Sequence, residues 1–293
     1  MTLLNAIVQG LFLGGLYALF ACGLSLLFGV MRIINLAHGD LAVLGAFGVW
    51  LVATQLHLSP FLALLLALPV MLVLGYGLQR TLLARSLRSG ELTPLLTTFG
   101  LAIVLQNALL QIFSPDVRSL GAAAGSISTG SWPITSQLSV PYLGLLVLAV
   151  AVAVLGGLQL MLRRTAFGRE MRATAQDPDT AGLVGIPAST VYARATAIAV
   201  GTATLAGAFL AIHSSFGPAS GPTQLIFAFE AVIIGGLGSL WGTLVGGIVL
   251  GVAQTVGATI DPQYSILAGH LVFLIVLASP RGRFAISRRS AQA

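Results

Sequence analysis

The residues in this chain able to bind or move a solute are few, and they stand inside or beside long apolar runs. Asn35, His38 and Asp40 fall within six positions, Thr97 and Thr98 are adjacent, and Glu230 precedes a glycine-rich stretch. An ionisable group at membrane depth is costly to desolvate, so each such group marks a substrate or ion route by default. For the first three a second role fits as well. Asn35 suits the N-cap of a following helix and Asp40 its first turn, where a carboxylate complements the helix dipole; alternatively, the three are solvated at the cytoplasmic mouth or on the wall of a substrate route. Glu230 reads equally as an interfacial charge or a path-lining group. Thr97, Thr98, Gln106 and Asn107 share the segment LLTTFGLAIVLQNALLQIF, and such side chains commonly bond across to neighbouring helices for about 0.6 to 2 kcal/mol each. His213 and His270 read as packed, hydrogen-bonded residues. A proton relay needs buried acids and bases near the midplane, and Asp40 and Glu230, both expected nearer helix ends, come closest.

Other chemistry is excluded by what is missing. All fourteen basic residues are arginine, so a P-loop of the GxxxxGK[ST] type and a Schiff-base lysine are both impossible. The chain cannot itself be an ordinary P-loop ATPase. Cys22 is the only cysteine, and the four scattered histidines come with no CxxC pair, so neither an internal disulfide, a bound metal nor a cofactor is expected. A net charge of +6 could suggest nucleic acid. The arginines nevertheless sit between apolar runs, as topology signals do, and no nucleic-acid partner is expected.

The elements that must position these groups follow from composition. Of 293 residues, 57% are hydrophobic and 8% charged, outside the range of soluble domains. Charge-free stretches cover 1–31, 41–79, 92–115, 119–162, 195–229 and 231–260, several of them long enough for two crossings of about 20 residues. The expected fold is all-α: a polytopic membrane protein of about eight transmembrane helices, one domain over 1–293, in contact with lipid. The first apolar run continues to about Val30, beyond the core of a signal peptide, and reads as a retained helix. Arg80, Arg85 and Arg88, then Arg163, Arg164, Arg169 and Arg172, then the tail 281–293 carry the positive charge, which places those segments in the cytoplasm. The connection from Ser114 to Pro141 and the N-terminus fall outside.

Parity requires the region 223–260 to enter and return from the outer side. Gly235, Gly236, Gly238 and Gly242 allow both tight turns and close helix contact. A helical hairpin, broken at Gly238 to Gly242, is the expectation, with a plain packing seam as the other reading. In the loop 163–188, Phe167, Met171 and Ala175 recur at i, i+4 and i+8 beside Arg169 and Arg172, an amphipathic helix. Asp177 followed by Pro178 restarts a helix, and Gly185 with Pro187 ends it. Two short helices of this kind can dock in a partner's groove or lie on lipid headgroups.

Four segments in order, GGLYALFACGLSLLFGVMRIINLAHGDLAVLGAF, TTFGLAIVLQNALLQIFSPDVRS, TAFGREMRATAQDPDTAGLVGI and IIGGLGSLWGTLVGGIVLG, resemble the membrane permease of ATP-binding-cassette importers for branched-chain amino acids. The second is more similar to the amino acid branch than to the sugar branch of that superfamily. The resemblance implies that 167–179, including Gly168, Asp177 and Asp179, couples to an ATPase. It implies that 35–40 begins a helix near the central pathway and that 235–242 belongs to a packed hairpin. It also implies a bacterial inner membrane, a second, homologous permease subunit, two cytoplasmic ATP-binding subunits and a solute-binding protein. The function expected is import of branched-chain or related amino acids, with no bond chemistry in this chain. An ion- or proton-coupled transporter of a small polar solute is the alternative.

Overall fold

The computed structural model describes residues 3–87, 89–90, 92–135 and 138–279; Arg88 and the tail 281–293 lie outside that set. The helices are α1 (Leu3–Met31), α2 (His38–Gln55), α3 (Pro60–Leu78, prolonged by a π turn at Gln79–Leu83 and by Ala84–Ser86), α4 (Thr93–Phe113) and α5 (Tyr142–Arg164). There follow α6 (Ala166–Gln176), α7 (Pro178–Leu183), α8 (Ala188–His213), α9 (Gly221–Gly235), α10 (Leu240–Ile260) and α11 (Tyr264–Ala278). Six of them, α1, the extended α3, α4, α5, α8 and α10, are long and apolar enough to cross a membrane. The expected polytopic helical protein is what folds. One addition is a small antiparallel pair, β1 (Ser131–Thr135) with β2 (Leu138–Pro141), in the connection between α4 and α5.

Helices that are apolar all round belong inside a bundle. In α1 and α8, 83% of the most apolar window is buried, against 17 to 22% in α3, α4 and α5, so the first two form the core and the others face outward. The approach of α1 to α10 depends on small residues. Gly10 and Gly14 meet the backbone of Val252 and Ile248, while Gly247 and Gly251 meet that of Gly14 and Gly10. Arginine-bearing segments gather at one end: Arg80 donates to Thr190 at 3.2 Å, joining the end of α3 to the start of α8. At the other end Arg118 and Phe216 exchange backbone hydrogen bonds of 2.8 and 2.9 Å, and the Arg118 guanidinium stacks 4.8 Å over Trp50.

α9 and α10 form the expected hairpin. Its break lies at 236–239, just before the stretch the glycines predict. Gly236 and Gly238 hold φ of +91° and +81°, a region open to glycine at little cost, and Ser239 caps α10 by accepting from the Gly242 amide at 3.1 Å. Close packing begins on either side of that turn. A Cβ on Gly235 or Gly242 would overlap the other's carbonyl, whereas one on Gly236 would meet nothing within 4 Å. Gly236 and Gly238 therefore turn the chain, and Gly235 and Gly242 pack it.

Candidate functional site

After α1 the chain turns back into the bundle. His38, the first residue of α2, holds Nε2 2.9 Å from the Phe20 carbonyl. Phe20 lies eleven residues before the end of α1, about 16 Å along it at 1.5 Å per residue. α9 also starts in the interior, because its first residue, Gly221, lies against the Asp40 carboxylate and the Gly39 backbone. At fifteen residues, about 22 Å, it is too short to cross a 30 Å core.

The turn before α2 is held by side chains. Asn35 Oδ1 accepts from the Ala37 amide at 3.0 Å, the Asn35 carbonyl accepts from His38 at 3.2 Å, and the Leu36 amide donates to Thr98 Oγ1 at 3.1 Å. Asn35 thus orders the turn, and the N-cap position itself falls to Ala37. Asn35, His38, Asp40 and Thr98 are all 1% exposed or less. They stand in the interior and not in a solvated mouth. Asp40 stands in the first turn of α2 and at the start of α9, where one carboxylate complements two helix dipoles. Asn35 Nδ2, His38 Nδ1 and Asp40 Oδ1 have no partner among the described residues, and such buried groups are costly until something bonds them. Thr97 stays apart, its hydroxyl donating to Thr93 of its own helix at 2.7 Å.

Glu230 belongs to a second cluster. Its Oε1 lies 2.5 Å from His270 Nδ1, the Tyr17 hydroxyl donates to Gln254 Oε1 at 2.5 Å, and the Phe227 ring stands 4.9 Å from Tyr17 and 6.3 Å from His270. Gln254 lies six residues from the end of α10, about 9 Å, and Glu230 is 4% exposed, so this acid is enclosed by the bundle. His270, expected as a packed, hydrogen-bonded residue, has that acid as its hydrogen-bond partner. Breaking a fully buried pair by removing one member typically costs 3 to 5 kcal/mol, but the His270 side chain is 40% exposed and water screens the contact. His270→Leu, which strands the buried Glu230, should therefore cost less, about 1 to 2 kcal/mol, and adding Glu230→Leu should restore most of it. Urea unfolding of the four proteins in detergent checks this; additive losses would dismiss the pair.

The segment after α5 folds on local signals. Thr165 caps α6 by accepting from Gly168 at 3.0 Å. Asp177 caps α7, accepting from the Asp179 and Thr180 amides at 3.0 and 3.1 Å and from the Thr180 hydroxyl at 2.5 Å. That hydroxyl and then the amide of Thr180 hold the Asp177 carboxyl below the usual range. A Cβ on Gly168 would overlap the carbonyls of Met161 and Leu162, so α6 folds tightly under the end of α5 because this position has no side chain.

The apolar stripe faces inward. Met171 is 1% exposed, packed with Leu26, Leu27 and Val30 of α1 and Val191 and Ala195 of α8. Phe167 is half-buried against the same cluster, with the Arg194 guanidinium 5.6 Å over its ring. The buried Met171 is not free to enter a partner's groove, and the helical spacing of the two is explained by the chain's own core. Arg169, Arg172, Asp177 and Asp179 are exposed. So are Leu183, at 87%, and Val184, at 72%, an apolar pair that sequence reasoning passed over. Its signal was an apolar dipeptide set between Gly182 and Gly185.

The family model described as the branched-chain amino acid transport system / permease component matches residues 6–278. The chain is 30% identical over 292 residues to the high-affinity branched-chain amino acid transport system permease protein BraD of Pseudomonas aeruginosa, covering 95% of this chain and 94% of that one. It is 27% identical over 294 residues to the permease protein LivH of Salmonella typhimurium, with the same coverage. To the fructose import permease protein FrcC of Rhizobium meliloti it is 27% identical over 259 residues, covering 84% of this chain and 69% of that one. With a helical membrane bundle that holds polar groups in its interior and a family match over nearly its whole length, the chain belongs to the branched-chain amino acid transport system permease components.

Proposed function

We propose that this chain is one permease subunit of an ATP-driven importer of branched-chain or related amino acids in a bacterial inner membrane. Its partners are a second, homologous permease, two cytoplasmic ATP-binding subunits and an external solute-binding protein. The observation that carries this reading is the α6–α7 segment: two capped helices seated on α1 and α8 through Met171, with Arg169, Arg172, Asp177, Asp179, Leu183 and Val184 exposed. An ATPase gripping that outer surface would move Met171 and, with it, the two core helices as a rigid body. Asn35, His38, Asp40 and Thr98 form the wall met by the solute, the unpartnered atoms of the first three matched to a polar zwitterion. Thr97 flanks that wall, and Glu230 with His270 lies deeper behind α1.

Reconstitution tests it. Vesicles holding both permeases, the ATP-binding subunits and the binding protein should take up labelled leucine only with ATP. A second reading, ion-coupled transport, is favoured by the contact of the buried Glu230 with His270. It predicts uptake by this chain alone on an imposed ion gradient.

The arginine-bearing end is taken as cytoplasmic and the N-terminus as external. Cys22 is buried and should not label. Cysteine at the exposed Ala123 should therefore react with an impermeant thiol reagent on intact cells, and cysteine at the exposed Ser189 only after the membrane is opened. The reverse pattern would invert the orientation.

A further inference from the structure

We propose that a cavity at the arginine-bearing end binds a phosphate-bearing anion, either the headgroup of an anionic phospholipid or free phosphate. The inference goes beyond the transport reading and does not depend on it. The cavity, about 340 Å³, opens where the ends of α1 and α5 meet α6 and the turn into α10, and its polar lining is Ser25, Gln159, Arg163 and Arg172, closed by Gly238 and Leu240. No acid lines it. Neither arginine has a carboxylate partner among the described ion pairs, and Glu170 on the same helix as Arg172 is paired with Arg194 at 3.8 Å.

Two arginines line one cavity with no acid among its lining, which favours an anion there, and the planar donor forks of arginine match a phosphate. Ser25 supplies an independent sign of a ligand. It is 1% exposed and its Oγ has no partner. Six residues from the end of α1, about 9 Å inward, it is the deepest of the α1 groups lining the cavity. The N-terminus of α10, a helix of 21 residues starting at Leu240, adds its positive end to the same space. The remaining lining is mostly apolar, which suits the glycerol and first acyl carbons of a lipid whose phosphate is held by the arginines. A phosphate there would bridge α5 and α6, tying the α6–α7 segment to the bundle.

The test uses the full chain, purified and placed in nanodiscs of phosphatidylcholine with or without phosphatidylglycerol, and retained lipid read by native mass spectrometry. In parallel, the thermal unfolding of the detergent-solubilised chain is followed with and without inorganic phosphate. The wild type should retain phosphatidylglycerol about tenfold over phosphatidylcholine, as expected for paired charge-assisted contacts. Arg163→Gln with Arg172→Gln should lose that preference, and Ser25→Val should weaken it. Arg164→Gln with Arg169→Gln removes the same charge outside the cavity and should keep it. Stabilisation by inorganic phosphate that is lost in the Arg163/Arg172 variant identifies free anion as the ligand; a response to phosphatidylglycerol alone identifies lipid. Equal loss in both double variants would show general surface attraction and overturn the site, as would a wild type indifferent to both probes. Circular dichroism establishes that each variant is folded, and if Ser25→Val is not, the arginine pairs carry the comparison.

Discussion

Leucine at Gly242 should prevent this permease from accumulating in a folded form. The physical reason is the atom it would meet. A Cβ at Gly242 would overlap the carbonyl of Gly235, and a Cβ at Gly235 that of Gly242, while one turn on, Gly246 meets the carbonyl of Ala231 in the same way. Overpacking of side chains typically costs 1 to 3 kcal/mol because neighbouring rotamers can shift. Here the obstacle is helix backbone, which gives way only if α9 and α10 separate along their shared face. The expected penalty is therefore at or above about 3 kcal/mol, the upper end of that range. It falls on the helix that also forms the glycine seam with α1, so the core loses support from both sides. Two comparisons make the result specific. Gly157 in α5 has nothing within 4 Å of a Cβ, and Gly157→Leu should accumulate as the wild type does. Gly236 has open space but a φ of +91°, so Gly236→Ala should show an intermediate loss of about 1 to 2 kcal/mol from backbone strain alone. Fluorescence-detected size-exclusion of the three variants measures this, and a monodisperse Gly242→Leu at wild-type yield would mean the hairpin is not packed as described.

What could be read from the sequence was what local physics decides. Charge-free runs marked the crossing helices because a buried charge is expensive at any position in them. Asp177 before Pro178 announced α7 because the cap and the fixed φ act within one turn, and those bonds are present. The depth of Asn35, His38 and Asp40 was not legible. Local pattern left a cap, a solvated mouth and a route wall open, because it does not show that residues 32–37, which carry no helix, run back along α1 to the level of Phe20. Periodicity showed that Phe167 and Met171 share an apolar face but said nothing of what covers it, and the cover is the chain's own α1 and α8. The partner of Glu230 lies forty residues on, at a distance no local pattern encodes. The break at 236–239 was placed slightly late because positive φ leaves no mark in a run that offers glycine at 235, 236, 238 and 242 alike.

Leu183→Asp with Val184→Asp should abolish ATP-dependent uptake while leaving the permease folded. Both side chains are exposed at the end of α7, so replacing them removes nothing from the bundle. If they enter a groove on the ATP-binding subunits, each contributes roughly 1.5 to 3 kcal/mol of apolar burial to the complex. Two losses at 1.4 kcal/mol per factor of ten lower affinity by about a hundredfold or more, and two added carboxylates at a desolvated contact deepen the defect. Co-purification of the ATP-binding subunits and ATP-driven uptake should then fall together. The more obvious substitution, serine at Phe167 and Met171, cannot separate these effects. Met171 is packed between α1 and α8, and truncating such a residue costs about 2 to 5 kcal/mol of folding stability. An ion-coupled transporter gives the opposite pattern: the Asp pair at 183 and 184 is harmless, an imposed proton gradient suffices for uptake by the purified chain, and Glu230→Gln stops it. Wild-type ATP-dependent uptake in the Leu183/Val184 variant would remove this surface from the coupling mechanism, and gradient-driven uptake that depends on Glu230 would replace the ATP-driven reading with the ion-driven one.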